Sequence, residues 1–411
     1  MNTKRIRLHI GLTLMFLGTV CVTGSAWTRT VGKDKTSCPD AQYDTITAAV
    51  NAAAPGDVIE ICPALYPEQL IIAKPLTLRG VSVDVNGDDV KRVLIQPPSL
   101  VVDGLGFETV ITVMNTHGVT IENLAVDASK NSVSGCTPGL ATIHYYNASG
   151  TVKDNAIFGA QLTKPGCPGN LPFGNGFGVL VDSNLPGPFH VSVKENSIHD
   201  FTANGVLVED KGVTAQIEGN GISGVGPSGG VFQFGVFIAN GAVGLIKHNL
   251  ITEGACGGLA FLDCLKVRSE GVTLRAVGDG TVVDHNIITR AQSGIFINGA
   301  NDARITNNLI GNIDVLDGID IQGTASGFFT NSRIDGNTIF NVAPIDNQSC
   351  GVSEFSGTGV SGNTITHTTV NDAYCGVAFV TADRVESGDY HNTLFTEVNA
   401  DTFTFPPAVE P

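Results

Sequence analysis

Two markers recur along this chain on a shared period, and together they leave few folds open. An Asn that closes an alternating, strand-like run stands at Asn123, Asn155, Asn196, Asn220, Asn249, Asn286, Asn308, Asn337, Asn363 and Asn392. Successive gaps are 32, 41, 24, 29, 37, 22, 29, 26 and 29 residues. A Gly series runs beside it at Gly178, Gly205, Gly235, Gly258, Gly294, Gly318, Gly351 and Gly376, each Gly opening a short apolar run. The stretch 281–298, TVVDHNIITRAQSGIFIN, carries both markers: Val283, Ile287 and Ile288 surround Asn286, and Ile295 and Ile297 alternate after Gly294. Period-two alternation is the mark of a strand. A marker spacing in this range means a repeat architecture, so the 411 residues need not divide into two or three domains.

Each repeat reads as one coil of three short strands: a Gly-led strand, a second strand, an Asn turn and a third strand, with a loop back to the next Gly. The shortest gaps, 22 to 26 residues, fit a minimal coil, and the longer ones carry side loops. Stacked coils place strands about 4.8 Å apart, which lets equivalent Asn side chains hydrogen-bond up the stack and satisfy buried turns. Scarce aromatics (7%) and abundant Gly (50) suit strands packed by Val and Ile between frequent tight turns.

Before the repeats, residues 44–55 place Ile46, Ala49, Val50 and Ala53 at helical spacing, and Pro55-Gly56-Asp57 stops the helix. Strands follow at Val58–Ile61, Leu70–Ile72 and Leu76–Leu78. This entry, and the repeat over 118–395, resemble right-handed parallel β-helices of the pectin lyase-like superfamily, in which a short helix plugs the open end of the first coil. The expected fold is therefore all-β: one right-handed parallel β-helix over 27–395 with a helical cap at 44–55. Residues 396–411 would be a C-terminal cap or tail.

Lys4, Arg5 and Arg7 precede an apolar run from Leu8 to Val22 and then Thr23-Gly24-Ser25-Ala26, a secretory signal with cleavage after Ala26. A retained anchor is the competing reading, but the run is short for a membrane span and no later run could cross a bilayer. Removing three basic residues takes the formal charge from −16 to −19. Such acidity argues against nucleic acid. It keeps a secreted, extracellular or periplasmic protein soluble and would also suit calcium. Eight cysteines remain as neighbours in sequence: Cys38 with Cys62, Cys136 with Cys167, Cys256 with Cys264 and Cys350 with Cys375. In a secreted chain these read as disulfides. Cys350 and Cys375 each precede a marker Gly one coil apart, within the Cα separation of about 4.4–6.8 Å that a disulfide tolerates.

The resemblance implies that activity lies on the outer face of the Gly-led sheet. Counting from each marker Gly, positions +1 and +3 are apolar and point inward, so +2 and +4 point outward. The +4 row begins with Asp182 and Glu209 and later carries Asn298 and Gln322. The +2 row carries Phe237, Phe296, Asp320 and, one coil later, Ser353. Asp182 and Glu209, in stacked coils, form a carboxylate pair able to divide acid and base roles, with Asp320 as a third candidate. The pair could equally hold calcium or simply be solvated. Phe237, Phe296 and Phe355 would offer a sugar an apolar platform, with Asn298 and Gln322 hydrogen-bonding its hydroxyls; packing under long loops is the alternative. Lys266, Arg268 and Arg275 follow Cys264 and read as surface charge able to lean over the groove.

The catalytic motifs of individual families are incomplete. Tyr66-Pro67-Glu68 resembles pectin methylesterases without their later Asp, Gln and Arg motifs. The polygalacturonase series has only Asp88-Asp89, Thr116-His117-Gly118 and Arg304-Ile305-Thr306, out of order or lacking Lys, and the Asp-Pro-His of alginate epimerases is absent. His248, His285 and His391 each precede a marker Asn and so share one turn row, a turn preference rather than a metal site. Two functions follow: a secreted protein that binds or processes a polysaccharide along the Gly-led sheet, of lyase or glycoside hydrolase type, or a non-catalytic envelope, adhesion or scaffold β-helix. Either can be monomeric, since a capped solenoid needs no partner.

Overall fold

The computed structural model describes residues 26–35, 38–81, 83–85, 89–163, 174–226, 232–252, 254, 269–323, 329–342, 349–356, 360–361, 363–381 and 394–404. Three long parallel sheets wind around one apolar core. The first runs from Thr28–Val31 through Val119–Glu122 to Thr364–Thr366 and supplies the strand before each Asn turn. The second holds the short strands after that turn, such as Ser197–His199 and Gly221–Ser223. The third is the Gly-led sheet, including Gly139–Tyr146, Phe177–Asp182, Asn204–Val208, Gln233–Ala239, Ser269–Arg275, Ser293–Asn298, Ile319–Gly323 and Cys350–Ser356, each parallel to the next. This is a single parallel β-helix.

The alternation read from the sequence sets the core. Val179 and Val181, Val206 and Val208, and Ile295 and Ile297 all point inward and are buried. The Gly row is steric. A Cβ on Gly178, Gly205, Gly235, Gly271, Gly294, Gly318 or Gly351 would press to within 2.4–2.9 Å of the next Gly carbonyl oxygen in the row, far inside contact distance. Gly271 belongs to this series in place of Gly258, which lies outside the described residues. The strand pairs Phe237 with Thr273 and Ala239 with Arg275. The outer positions of that coil are therefore Thr273 and Arg275.

The Asn ladder runs from Asn155 through Asn196, Asn220, Asn249, Asn286 and Asn308 to Asn337. At each step up to Asn308, the backbone N–H and the Nδ2 amide both donate to the next Oδ1 at 2.9–3.0 Å. Two markers are corrected. Asn123 (φ 57°) sits one place early, and Leu124 takes the ladder position, its N–H donating to Asn155 Oδ1. Asn363 sits at a different corner, accepting from Ser332 N–H and donating to Phe329 O. Asn392 lies outside the described residues.

The helix forms over Ile46–Ala52, shorter than expected, with Thr45 as N-cap. Glu68 accepts from the N–H groups of Ile46 and Thr47, satisfying donors that a helix start leaves free. Ile46, Ala49 and Val50 face the core and close its first coil. Disulfides join Cys38 to Cys62 and Cys350 to Cys375, the latter with Cα atoms 4.5 Å apart in paired positions. Cys136 is also disulfide-bonded. Cys167, Cys256 and Cys264 lie outside the described residues, as does the segment 1–25. No described helix is long and apolar enough to cross a membrane. The last described strand, Leu394–Thr404, pairs parallel with Thr369–Thr381.

Candidate functional site

The outer face of the Gly-led sheet carries polar and titratable groups in two places. The first is set by three consecutive coils. Tyr146 pairs with Asp182, and Val181 pairs with Val208, which seats Glu209 beside Asp182 in the next coil. Glu209 N–H donates to Val181 O at 2.9 Å, fixing that register. Beneath them, His144 is fully buried and its Nε2 lies 2.7 Å from Asp182 Oδ1, while its Nδ1 has no hydrogen-bond partner. The imidazole therefore serves as an N–H donor that orients the Asp182 carboxylate. Glu209 is half-buried, and Asn240 Nδ2 donates to its Oε2 at 3.1 Å. Burial, then the negative charges of Asp210 and Asp182, push the Glu209 carboxyl up to about 7 against that one hydrogen bond. Asp210 is raised as well, by burial and by Asp182, although it accepts from Ser183 N–H.

The row between the two places is not an open groove floor. Leu180, Leu207, Phe234 and Phe237 form a second apolar cluster outside the helix core, and the Phe234 and Phe237 rings meet edge-on at 5.0 Å. Alternation gave their direction correctly, but Phe237 is 1% exposed and Phe296 7%, so neither presents the open ring face expected of a sugar platform. The side chain of Phe355 lies outside the described residues. Arg275, exposed, pairs with Asn298, and Gln322 follows in the next coil. These polar side chains continue the row that Asp182 and Glu209 begin.

The second place lies at Asp317 and Asp320. Asp320 was expected outside and is 2% exposed, so it is a buried acid rather than a surface one. Asp317 Oδ1 accepts from Cys350 N–H at 2.6 Å and its Oδ2 from Ser353 Oγ at 2.5 Å, while Gln322 Nε2 donates to Asp320 Oδ2 at 3.1 Å. Burial, then the charge of Asp320, push Asp317 up to about 7 despite those two bonds. Five coil steps separate Asp182 from Asp320, or about 24 Å at about 4.8 Å per coil. Asp182 and Glu209 are thus brought together, and Asp320 is not with them.

Sequence reasoning missed His144, Asp210 and Asp317 as site members. His144 lies in a coil where Thr142 stands level with Gly178, so no marker Gly announced it. Asp210 follows Glu209 directly, and Asp317 directly precedes Gly318; both signals were present. Among the described residues no group of three or more His, Cys, Asp or Glu is placed to hold a metal ion. The calcium reading of the Asp182–Glu209 pair therefore gains no support there. Lys266 and Arg268 lie outside the described residues.

Three parallel sheets, a Gly corner row and an Asn ladder define the class as a right-handed parallel β-helix. A family model described as "Right handed beta helix region" matches residues 177–393, more than half of the chain, and the protein belongs to that family. No curated protein sequence matches it. Solved structures similar to it include the Dettilon tailspike protein (12% identity, TM-score 0.42), with 83% of this chain covering 62% of that one. The A-module of mannuronan C-5 epimerase from Azotobacter vinelandii is 13% identical (TM-score 0.45; 88% and 93% covered). A PL6 alginate lyase solved with a trisaccharide is 12% identical (TM-score 0.46; 92% and 84% covered). The chain thus spans under two thirds of the tailspike's length.

Proposed function

We propose that this protein is a secreted glycan-processing β-helix that cleaves a polysaccharide lying along its Gly-led sheet. Glu209 acts as proton donor and Asp182 as the carboxylate beside it. The observation that carries this reading is the unlike setting of two carboxyl groups in adjacent coils: one is tied to a buried imidazole, the other half-buried among negative charges. Pairs whose environments push them apart are how one site runs acid and base chemistry together. Neighbouring coils set the two backbones about 4.8 Å apart, from which side chains on one face can hold their carboxyls at the roughly 5–5.5 Å that retaining glycosidases use. In that scheme the Glu209 proton passes to the glycosidic oxygen as the bond to the anomeric carbon breaks. Asp182 bonds to the carbon from the other face; water, giving a proton to the now ionised Glu209, then displaces Asp182 and releases the sugar.

Asn298 and Gln322 would hydrogen-bond hydroxyls of sugars further along the chain, with Phe296 packing beneath them. Asp320 lies too far away to join the same bond cleavage. The signal-like segment 1–26 and the disulfides support secretion. Binding without cleavage is the second reading, favoured by the buried apolar cluster at Leu180, Leu207 and Phe237, which leaves little open floor.

The test is a polysaccharide panel read for new reducing ends and for unsaturated uronate absorbance. Glu209→Gln and Asp182→Asn should each lower the rate about 10²–10⁴-fold with the circular dichroism spectrum unchanged. New uronate absorbance would point to elimination instead of hydrolysis. Rates unchanged from the native chain in both variants would remove the site, and silence on every polymer, with binding retained, would leave the non-catalytic reading.

A further inference from the structure

The turn before each ladder Asn puts one residue in the left-handed region, and this row lies at the corner between the first and second sheets. Asp154 (φ 56°), Glu195 (55°), His248 (55°), His285 (53°) and Asn307 (55°) occupy it in successive coils, with Gly219 between Glu195 and His248. Tolerance of that backbone conformation accounts for polar residues and Gly throughout the row. It does not account for two imidazoles in adjacent coils, each with a carboxylate behind it.

His248 and His285 are 57% and 54% exposed, and their rings stack with centroids 5.3 Å apart and planes 29° from parallel. His285 Nδ1 lies 2.9 Å from Asp284 Oδ2. His248 Nδ1 lies 3.8 Å from Glu218 Oε1. At His285 the carboxylate engages Nδ1 within hydrogen-bond distance, which leaves Nε2 to carry the lone pair, while Glu218 places a negative charge near the Nδ1 side of His248 without a hydrogen bond. Metal-binding histidines are held in the way His285 is: a carboxylate on the nitrogen away from the ion fixes the tautomer and raises the basicity of the other nitrogen. Asp284 is well anchored for the task. Thr306 Oγ1 and Asn307 Nδ2 donate to its Oδ1 at 2.6 and 3.0 Å.

We propose that His248 and His285 form a two-imidazole site for a divalent transition metal of the zinc, nickel or copper kind, with water completing the coordination. Metal–nitrogen bonds of about 2.0–2.1 Å require the two Nε2 atoms to close toward one another, and both rings are exposed enough to turn. Imidazole ligands select such ions over calcium or magnesium, which want oxygen. His367 is the internal comparison: its Nδ1 also meets a carboxylate, Asp335, at 2.8 Å, but the coil before it carries Gly336, not an imidazole, in the same row.

The test is titration of the full chain with Zn²⁺ and Ni²⁺ by calorimetry, alongside imidazole proton signals in NMR. One site should appear, with the signals of His248 and His285 moving and that of His367 still. His248→Gln or His285→Gln should each weaken binding more than tenfold, Asp284→Asn about tenfold or more, and His367→Gln not at all. All four substitutions lie in exposed side chains or in a surface hydrogen bond, and unchanged circular dichroism will show that the fold survives. Binding that is absent in the native chain, or unaltered by both His248→Gln and His285→Gln, overturns the assignment.

Discussion

Glu209 and Asp317 have both been moved toward neutrality by burial and neighbouring negative charge, with different consequences. Glu209 is reachable from solvent, so its proton is available for catalysis; a rate that depends on it should fall as pH rises through about 7, and Glu209→Gln should lose that limb of the profile. Asp317 is buried, so its proton bears on stability. The folded carboxyl holds its proton up to about 7, whereas an unfolded Asp releases it near about 3.9. Between those values the unfolded chain binds fewer protons, so stability falls as pH rises through that window and is lowest above it. Melting temperature should therefore decline from pH 5 to pH 8 in the native protein. The decline should be smaller in Asp317→Asn, which keeps an acceptor for Cys350 N–H. An equal decline in both would show that other groups set the dependence.

At the scale of the element, the ladder is where sequence and structure agree most closely. Asn249 is the acceptor for two donors of Asn220 and itself donates to Asn286 and Ile217 O, all buried. Asn249→Leu strands several of these groups at about 1–3 kcal/mol each. Urea unfolding should show a loss of about 3 kcal/mol or more, against less than about 1 kcal/mol for Asp154→Gly, where glycine suits the left-handed turn. Inward residues such as Val206 and Ile297 were legible because period two names the face on which a side chain lies. What period two cannot name is cover: Leu207 and Phe237 do point away from the core, yet they are buried in a second cluster. Gly258 and Gly271 both precede short apolar runs, and only the register with Gly235 separates them. His144 stayed hidden for a related reason, since its coil has Thr142 where later coils have Gly.

At the scale of the whole molecule, contacts pass mainly between adjacent coils, so stability is a sum of local steps rather than one indivisible core. The Cys350–Cys375 disulfide ties the two paired Gly-led strands that carry Ser353 and Ala378. It closes a loop of 25 residues, for which about 3 kcal/mol is the usual order. Cys350→Ala with Cys375→Ala should therefore raise amide exchange at Val352 and Val370 while leaving Val193 and Ile217 protected. Uniform loss of protection along the helix would mean that the stack melts as one unit.

The ladder also has a direction. From Asn155 to Asn308 every Asn-to-Asn step sends a backbone N–H and one amide hydrogen to the C-terminal neighbour, while the second amide hydrogen turns back to a carbonyl of the preceding coil, as from Asn249 to Ile217 O. The Asn corner of a coil is therefore completed by the coils on both sides of it. A chain interrupted partway leaves two hungry Asn donors and one carbonyl open at its trailing face, so an unfinished copy carries a polar notch there that only another coil of the same kind fills.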